Sequence, residues 1–341
     1  MDYSFFYAIA AIIFGIIFLV WGADRFVDGA SGIAANMGIS PLLIGLTIVG
    51  FGTSAPEILV SIVSAWQDNP GIAVGNAIGS NITNIALVLG ITAIITPISI
   101  HSNILRREYP VMILIMVIGL LLILDGYLGI VDGLILITGL VALLFWIVKV
   151  GTKKYKHEPL QDEFEHHKYK LSKFKAILWL IIGLFLLIVS SKFLVWGSVF
   201  IAQKLGMSDL LIGLTIIAIG TSLPELATSV TSALKNEHEI AVGNVIGSNM
   251  FNILAVLGIP GLISPHKLDS MVLQRDYPVM LILSLILGLL IGFGFKSRSK
   301  SSTQTDSKFK LSKNQCITKI EGAFLLFGYI CYIFILYIYS S

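Results

Sequence analysis

The sequence predicts an all-α integral membrane protein with ten transmembrane helices, arranged as two inverted five-helix repeats. Three observations carry that expectation: a composition only lipid can solvate, motifs repeated at one fixed offset, and basic residues gathered in alternate loops. Of 341 residues, 56% are hydrophobic and 13% charged, and the mean hydropathy is +0.89. Soluble domains carry about 25% charged residues. The deficit is too large for a water-exposed surface, so the bilayer is the solvent for most of the chain.

Apolar stretches long enough for a tilted span run near 4–23, 126–148, 175–196, 277–295 and 320–339. The stretches 40–65, 72–97, 208–234 and 240–263 are apolar but interrupted by Gly, Ser, Thr, Asn and Pro, and a short one lies near 109–124. With the N-terminus outside, 19 of the 23 Lys and Arg residues fall in inward loops; the exceptions are Lys192, Lys204, Lys267 and Arg275. That bias is the positive-inside signal and predicts two extracytoplasmic termini. The start, Met1-Asp2-Tyr3-Ser4, has no basic residue before its apolar run, so no removable signal peptide is expected. Cys316 and Cys331 form neither a disulfide framework nor a zinc site and are expected to be inert.

Gly52-Thr53-Ser54-Ala55-Pro56-Glu57 recurs as Gly220-Thr221-Ser222-Leu223-Pro224-Glu225, and Gly75-Asn76-Ala77-Ile78-Gly79-Ser80-Asn81 as Gly243-Asn244-Val245-Ile246-Gly247-Ser248-Asn249. Arg107-Glu108-Tyr109-Pro110 keeps the same offset of 168 with Arg275-Asp276-Tyr277-Pro278. Residues 38–57 match 206–225 at 14 of 20 positions, and 71–90 match 239–258 equally well. Hydrophobic coincidence does not set Pro, Glu and Asn in register, so the chain reads as a duplication: residues 1–150, a cytoplasmic linker 151–174, and residues 175–341. Five spans per half is an odd number, which turns the second half upside down. Inverted repeats with broken segments at matching places are the sign of a secondary transporter with its site at the repeat interface.

Glu57 and Glu225 are the acidic residues that fall well inside spans. A carboxylate at mid-membrane costs about 2.5–3.5 kcal/mol on insertion scales. A salt bridge would offset that cost, but the spans offer only Lys192, near enough to a span end to snorkel. A transported ion is then the missing positive charge, divalent or a set of monovalent ones. Pro56 and Pro224 leave the carbonyls of Gly52 and Gly220 without their helical N–H partners, as ready oxygen ligands. Thr53 and Ser54 lie one turn before Glu57 on its helix face, and Thr221 and Ser222 repeat this. Asn76, Ser80 and Asn84 recur every fourth residue, as do Asn244, Ser248 and Asn252. Gly75 and Gly79, with Gly243 and Gly247, are expected to let backbones approach, and Asn81 and Asn249 to bond between helices. The donors are all oxygen, which suits Ca²⁺ or Na⁺ and disfavours zinc or copper. All six histidines fall in or beside loops. With no in-span nucleophile and base, no enzyme is expected, and no cofactor.

The paired G-T-S-x-P-E and G-N-x-I-G-S-N motifs resemble the alpha-repeats of the calcium/cation antiporter superfamily, most closely its sodium/calcium exchanger branch. The resemblance implies a ten-helix inverted-repeat antiporter of the plasma membrane that exchanges Na⁺ for Ca²⁺, with these ions and the bilayer as partners and no nucleic acid. It implies Glu57, Glu225, Thr53 and Thr221 as central cation ligands. Ser54, Ser80, Ser222, Ser248 and Asn84 would be flanking Na⁺ ligands, and Ala218 would offer a backbone carbonyl. Asn252 stands where the potassium-dependent branch has Asp, which favours exchange without K⁺. The proton-coupled branch resembles G-N-x-x-E-H where this chain has Gly75-Asn76-Ala77-Ile78-Gly79-Ser80, which argues against proton coupling. A calcium/proton or other cation antiporter, and less so a cation channel, are the alternatives. The outer helices at 4–23 and 175–196 are the expected moving gate.

Overall fold

A computed structural model describes residues 3–100, 102–154, 171–205, 218–293 and 315–340. The first half comprises α1 (Tyr3–Met37), α2 (Pro41–Thr53), α3 (Ala55–Trp66), α4 (Pro70–Ile95), β1 (Ile98–Ile100), α5 (Ser102–Ile123), β2 (Tyr127–Leu128) and α6 (Ile130–Lys154). The second comprises α7 (Lys173–Lys204), α8 (Ala218–Thr221), α9 (Leu223–Leu234), α10 (His238–Ile263), β3 (His266–Lys267), α11 (Tyr277–Phe293), β4 (Gln315–Ile317) and α12 (Lys319–Ser340). Among the described residues, seven helices are long and apolar enough to cross a membrane, or eight when α2 and α3 count as one bent span. Of the other two expected spans, 109–124 falls in α5 up to Ile123, while the 208–217 part of 208–234 lies outside the described residues. Most of the expected linker 151–174 and the basic stretch 297–313 also lie outside them.

Burial separates an inner pair of helices from an outer ring. The most apolar stretch of α10 is 100% buried and that of α4 is 72% buried, against 22% for α1. The outer ring exposes large apolar side chains such as Phe6, Phe145, Phe185 and Phe327. Such a contiguous apolar surface on a helical protein is a surface for lipid.

Helix α1 runs 35 residues, well past the expected edge at 23, and α7 runs 32. The reason is a glycine seam along which the two pack antiparallel. A Cβ at Gly15 would lie 2.6 Å from Leu194 Cγ, and one at Gly22 2.9 Å from Leu186 Cβ. Gly29 meets the backbone of Leu180 and Ala176, and Gly183 meets the backbone of Phe26. Small residues let helix backbones touch in lipid, where packing rather than hydrophobicity holds spans together. The seam is self-complementary: Gly15 against Leu194 becomes Gly183 against Phe26 when each number is shifted by 168.

The same shift relates other features. Tyr109 Oη donates to Ser284 O at 2.9 Å and Tyr277 Oη to Met116 O at 2.7 Å. Asn81 Nδ2 reaches Met280 Sδ at 3.4 Å and Asn249 Nδ2 reaches Met112 Sδ at 3.9 Å, so these amides bond between helices as expected. Asp68 (φ 59°) and Asn236 (φ 62°) both end their helices in left-handed turns, a conformation short polar residues tolerate best. Helix α12 packs on the end of α4, with Gly322 against Gly90 O, while α6 packs on the end of α10, with Gly133 against Gly258 O.

Contacts between connections sort them into two sets. In one, β1 pairs with β4 antiparallel, and Lys235 bonds Asp24 and Asp28. In the other, β2 pairs with β3, and Ser264 Oγ donates to Asp68 Oδ1 at 3.1 Å. The positive-inside reading puts the first set on one side of the bilayer and the second on the other.

Candidate cation site

The centre is built where two helices break. Pro56 and Pro224 sit in the first turns of α3 and α9, where a missing N–H costs least. The residues before those helices leave the helical conformation in the same way: Ser54 at φ −79°, ψ 3° and Ser222 at φ −89°, ψ 7°. Helix α3 turns 41° from α2 there. Each Glu falls on the first turn after its break, at the positive end of the new helix dipole.

Glu57 and Glu225 are both 0% exposed, and among the described residues no Lys, Arg or His pairs with either. The two carboxylates lie within electrostatic reach of each other. The hydroxyls of Thr221 and Ser80 face Glu57, yet neither of its carboxylate oxygens has a hydrogen bond of good geometry. Thr53, Ser54 and Ser248 face Glu225; Ser54 Oγ donates to Glu225 Oε1 at 3.4 Å, and Oε2 has no partner.

The hydroxyls therefore do not lie beside the Glu of their own motif, as an unbroken helix would have them. The break swings Thr53 and Ser54 across to the carboxylate of the other half, and Thr221 across to Glu57. Two asparagines fix this exchange. Thr53 Oγ1 donates to Asn244 Oδ1 at 2.9 Å, and Asn244 Nδ2 donates to Glu225 O at 3.3 Å. In the other half, Thr221 Oγ1 donates to Asn76 Oδ1 at 3.5 Å and Asn76 Nδ2 to Glu57 O at 3.2 Å.

The carbonyls expected to be free are taken. Gly220 O accepts from Ser191 Oγ at 2.6 Å, and Gly52 O accepts a backbone N–H at the Ser54 cap. A short-range bond at the break replaces the helical one that proline removed. Sequence reasoning missed Gly50, whose carbonyl accepts from Ser248 Oγ and from Thr53 Oγ1, both at 3.3 Å. Gly50 is the 168-shifted counterpart of Ala218, which opens α8, so the repeat itself carried the signal.

One turn further along α4 and α10 the helices widen into π turns, Thr83–Val88 and Asn252–Val256. Such turns cluster at functional sites because the extra residue re-aims a side chain. Asn84 Nδ2 donates to Asn249 Oδ1 at 3.3 Å and leaves Asn84 Oδ1 without a partner. Both polar atoms of Asn252 and the Ser222 hydroxyl are also buried and unpartnered. Buried polar atoms are otherwise almost always bonded, so these unpartnered oxygens, together with two unpaired carboxylates, make this region the candidate site for a cation. Among the described residues, no cluster of three His, Cys, Asp or Glu exists; the donors are two carboxylates and neutral oxygens.

Backbone approach holds these helices together. A Cβ at Gly243 would lie 2.8 Å from Leu42 O, and one at Gly247 2.6 Å from Leu46 O. Gly75 and Gly79 have no described atom within 4 Å; the segment equivalent to 42–46 is 210–214, outside the described residues. On one side of the site a cavity of about 630 Å³ opens between α3 and α7, lined by Pro56, Val60, Ser64, Gln67, Lys192 and Thr221 among others. Lys192, expected near a span end, lines this cavity, and α7 runs twelve residues beyond it to Lys204.

Comparison with known proteins identifies the family. The family described as "Sodium/calcium exchanger protein" matches residues 7–152 and 175–338. The chain is 45% identical to CaxA of Alkalimonas amylolytica over 96% of this chain and 97% of that one. It is 30% identical to the sodium/calcium exchanger MaX1 of Methanosarcina acetivorans, again over 96% and 97%. Among solved structures it resembles the sodium-calcium exchanger NCX_Mj, soaked with 10 mM Na⁺ and zero Ca²⁺, at a TM-score of 0.79 and 33% identity, over 96% of this chain and 98% of that one. The chain is a membrane cation antiporter and belongs to the sodium/calcium exchanger protein family.

Proposed function

We propose that this antiporter exchanges Na⁺ for Ca²⁺ across the plasma membrane, without K⁺, through one site at the interface of two inverted five-span repeats. The observation that carries this reading is the pair Glu57 and Glu225, wholly buried with no protein cation and facing hydroxyls contributed by both halves. Glu57, Glu225, Thr53 and Thr221 would hold Ca²⁺. Ser54, Ser80, Ser222, Ser248, Asn84 and Asn252 would supply further oxygens for Na⁺, with backbone carbonyls at Gly50 and Ala218. Hard oxygen donors of low total charge suit both ions. Asn252 in place of a carboxylate supports independence from K⁺.

Obligatory exchange follows from charge. With Ca²⁺ or Na⁺ bound the carboxylates are neutralised and the carrier can reorient. Without them two charges would cross a low-dielectric region unpaired, at the cost that makes intramembrane carboxylates rare. The antiparallel glycine seam of α1 and α7 supports these helices as the sliding pair. Basic residues in alternate loops support outward termini and a cytoplasmic 149–175 connection.

The test is uptake of radioactive Ca²⁺ into proteoliposomes loaded with Na⁺, with K⁺ and pH varied separately. Uptake that requires an outward Na⁺ gradient and ignores K⁺ and pH gradients supports the proposal. Uptake driven by a pH gradient alone would make the chain a calcium/proton antiporter, and flux with no counter-ion would make it a channel.

A further inference from the structure

We propose that the inner half of the ion path runs along the Thr228 and Ser232 face of α9, and that Lys235, bridging to Asp24 and Asp28 of α1, is the latch that keeps it shut. The inference rests on the antiporter reading and the orientation given above, and adds to them the residues of the closed half-path.

Two halves that are otherwise closely matched differ along one helix face. A shift of 168 carries Val60, Ser64 and Gln67 of α3 onto Thr228, Ser232 and Lys235 of α9. On α3 this face is open: Val60, Ser64 and Gln67 border the cavity of about 630 Å³ that leads to Pro56 and Thr221. On α9 the same face is covered by protein. Thr228 and Ser232 are both 0% exposed, and neither Thr228 Oγ1 nor Ser232 Oγ has a hydrogen-bond partner among the described residues. They continue from Glu225 at helical spacing, so the three form one polar stripe running from the site towards Lys235. Buried hydroxyls without partners call for a reason. Becoming wetted or bound to a passing ion when the face opens is such a reason, and the counterpart face on α3 does border an open cavity.

At the mouth of this closed stripe Lys235 Nζ lies 2.7 Å from Asp24 Oδ1, 2.7 Å from Asp28 Oδ1 and 2.8 Å from Asp24 O. Arg25 joins the cluster at 3.6 Å from Asp28 and stacks 4.8 Å over the Trp179 ring of α7. The cluster thus ties the end of α9 to α1, and through Arg25 to α7, the two helices that must move. In the other half the positions of Asp24, Asp28 and Lys235 are Lys192, Trp196 and Gln67. No acid stands there, and that mouth is open.

The test uses the full chain with Cys316→Ser and Cys331→Ser, carrying Ser232→Cys or, separately, Thr228→Cys, in inside-out vesicles. An impermeant maleimide reports access from the inner side. Adding Lys235→Gln should raise the labelling rate about five-fold, the scale of a partly exposed ion pair, and Lys235→Asp with Asp28→Lys should restore protection. Labelling unchanged by Lys235→Gln, or a swapped pair that fails to protect, would overturn the latch. Thiols that stay unlabelled in every variant, including during active exchange, would overturn the path. Labelling does not depend on which ions are exchanged. A chain that fails the Na⁺-gradient assay yet responds to Lys235→Gln would therefore lose the exchange reading and keep the latch.

Discussion

Thr53 Oγ1 donates to Asn244 Oδ1 at 2.9 Å, from the first half of the chain into the second. Asn244 in turn holds the Glu225 carbonyl at 3.3 Å, so one amide sets the hydroxyl and the carboxylate-bearing turn that face each other. Asn244→Leu would remove both of these bonds and the one Asn244 Nδ2 gives to Ser229 Oγ at 3.0 Å, each worth about 0.5–1.5 kcal/mol. Calcium affinity should fall roughly ten- to hundred-fold. Asn76→Leu should cost less, because its Thr221 bond is longer at 3.5 Å. Calorimetric Ca²⁺ titration of the two variants checks the order; equal losses, or none, would contradict it.

A second prediction concerns site charge. Both polar atoms of Asn252 are buried without partners, so Asn252→Asp would add a third carboxylate to the same group of oxygens. Calcium affinity should rise about ten-fold, a modest share of the Coulomb energy between close charges at an effective dielectric near 20. Transport should become sensitive to K⁺, needed to neutralise the extra charge when Na⁺ is bound. Uptake measured with and without K⁺ reads this directly, and K⁺-insensitive uptake by the variant would argue against it.

The seam between α1 and α7 makes a stability prediction. Gly183 faces the backbone of Phe26, and any Cβ there collides with main-chain atoms that cannot step aside. Gly183→Leu should destabilise the folded protein by about 1–3 kcal/mol and lower its thermal midpoint in detergent. Ile181→Leu, on a side chain 60% exposed towards lipid, should leave the midpoint in place. Equal midpoints for both variants would remove the seam from the account.

Orientation is open to thiol mapping. On a background without Cys316 and Cys331, Gln67→Cys and Lys267→Cys should react with impermeant maleimide in intact cells. Asn36→Cys should react only after the inner face is exposed. Reversed labelling would invert the topology and, with it, the side to which the cavity between α3 and α7 opens.

Much of this was legible beforehand for a specific physical reason. Proline, glutamate and asparagine in a lipid-soluble chain are expensive, so their recurrence at an offset of 168 located the breaks at Ser54 and Ser222 and the unpaired charges at Glu57 and Glu225. Helix periodicity could not show what happens after a break. It put Thr53 and Ser54 beside Glu57, whereas the backbone at Ser54 turns them towards Glu225. It treated the carbonyls freed by Pro56 and Pro224 as ligands, whereas Ser191 and a backbone N–H claim them. It ended α1 near residue 23, where charges begin, because hydropathy does not register that Asp24, Arg25 and Asp28 are neutralised among themselves and by Lys235.

The central claim is that a bound cation supplies the positive charge Glu57 and Glu225 lack, and calorimetric Ca²⁺ titration of purified protein at increasing Na⁺ tests it most directly. The account predicts Ca²⁺ binding that Na⁺ displaces competitively, lost in both Glu57→Gln and Glu225→Gln while each variant keeps its thermal midpoint or gains a few degrees. Undiminished, Na⁺-sensitive Ca²⁺ binding after both substitutions would contradict it.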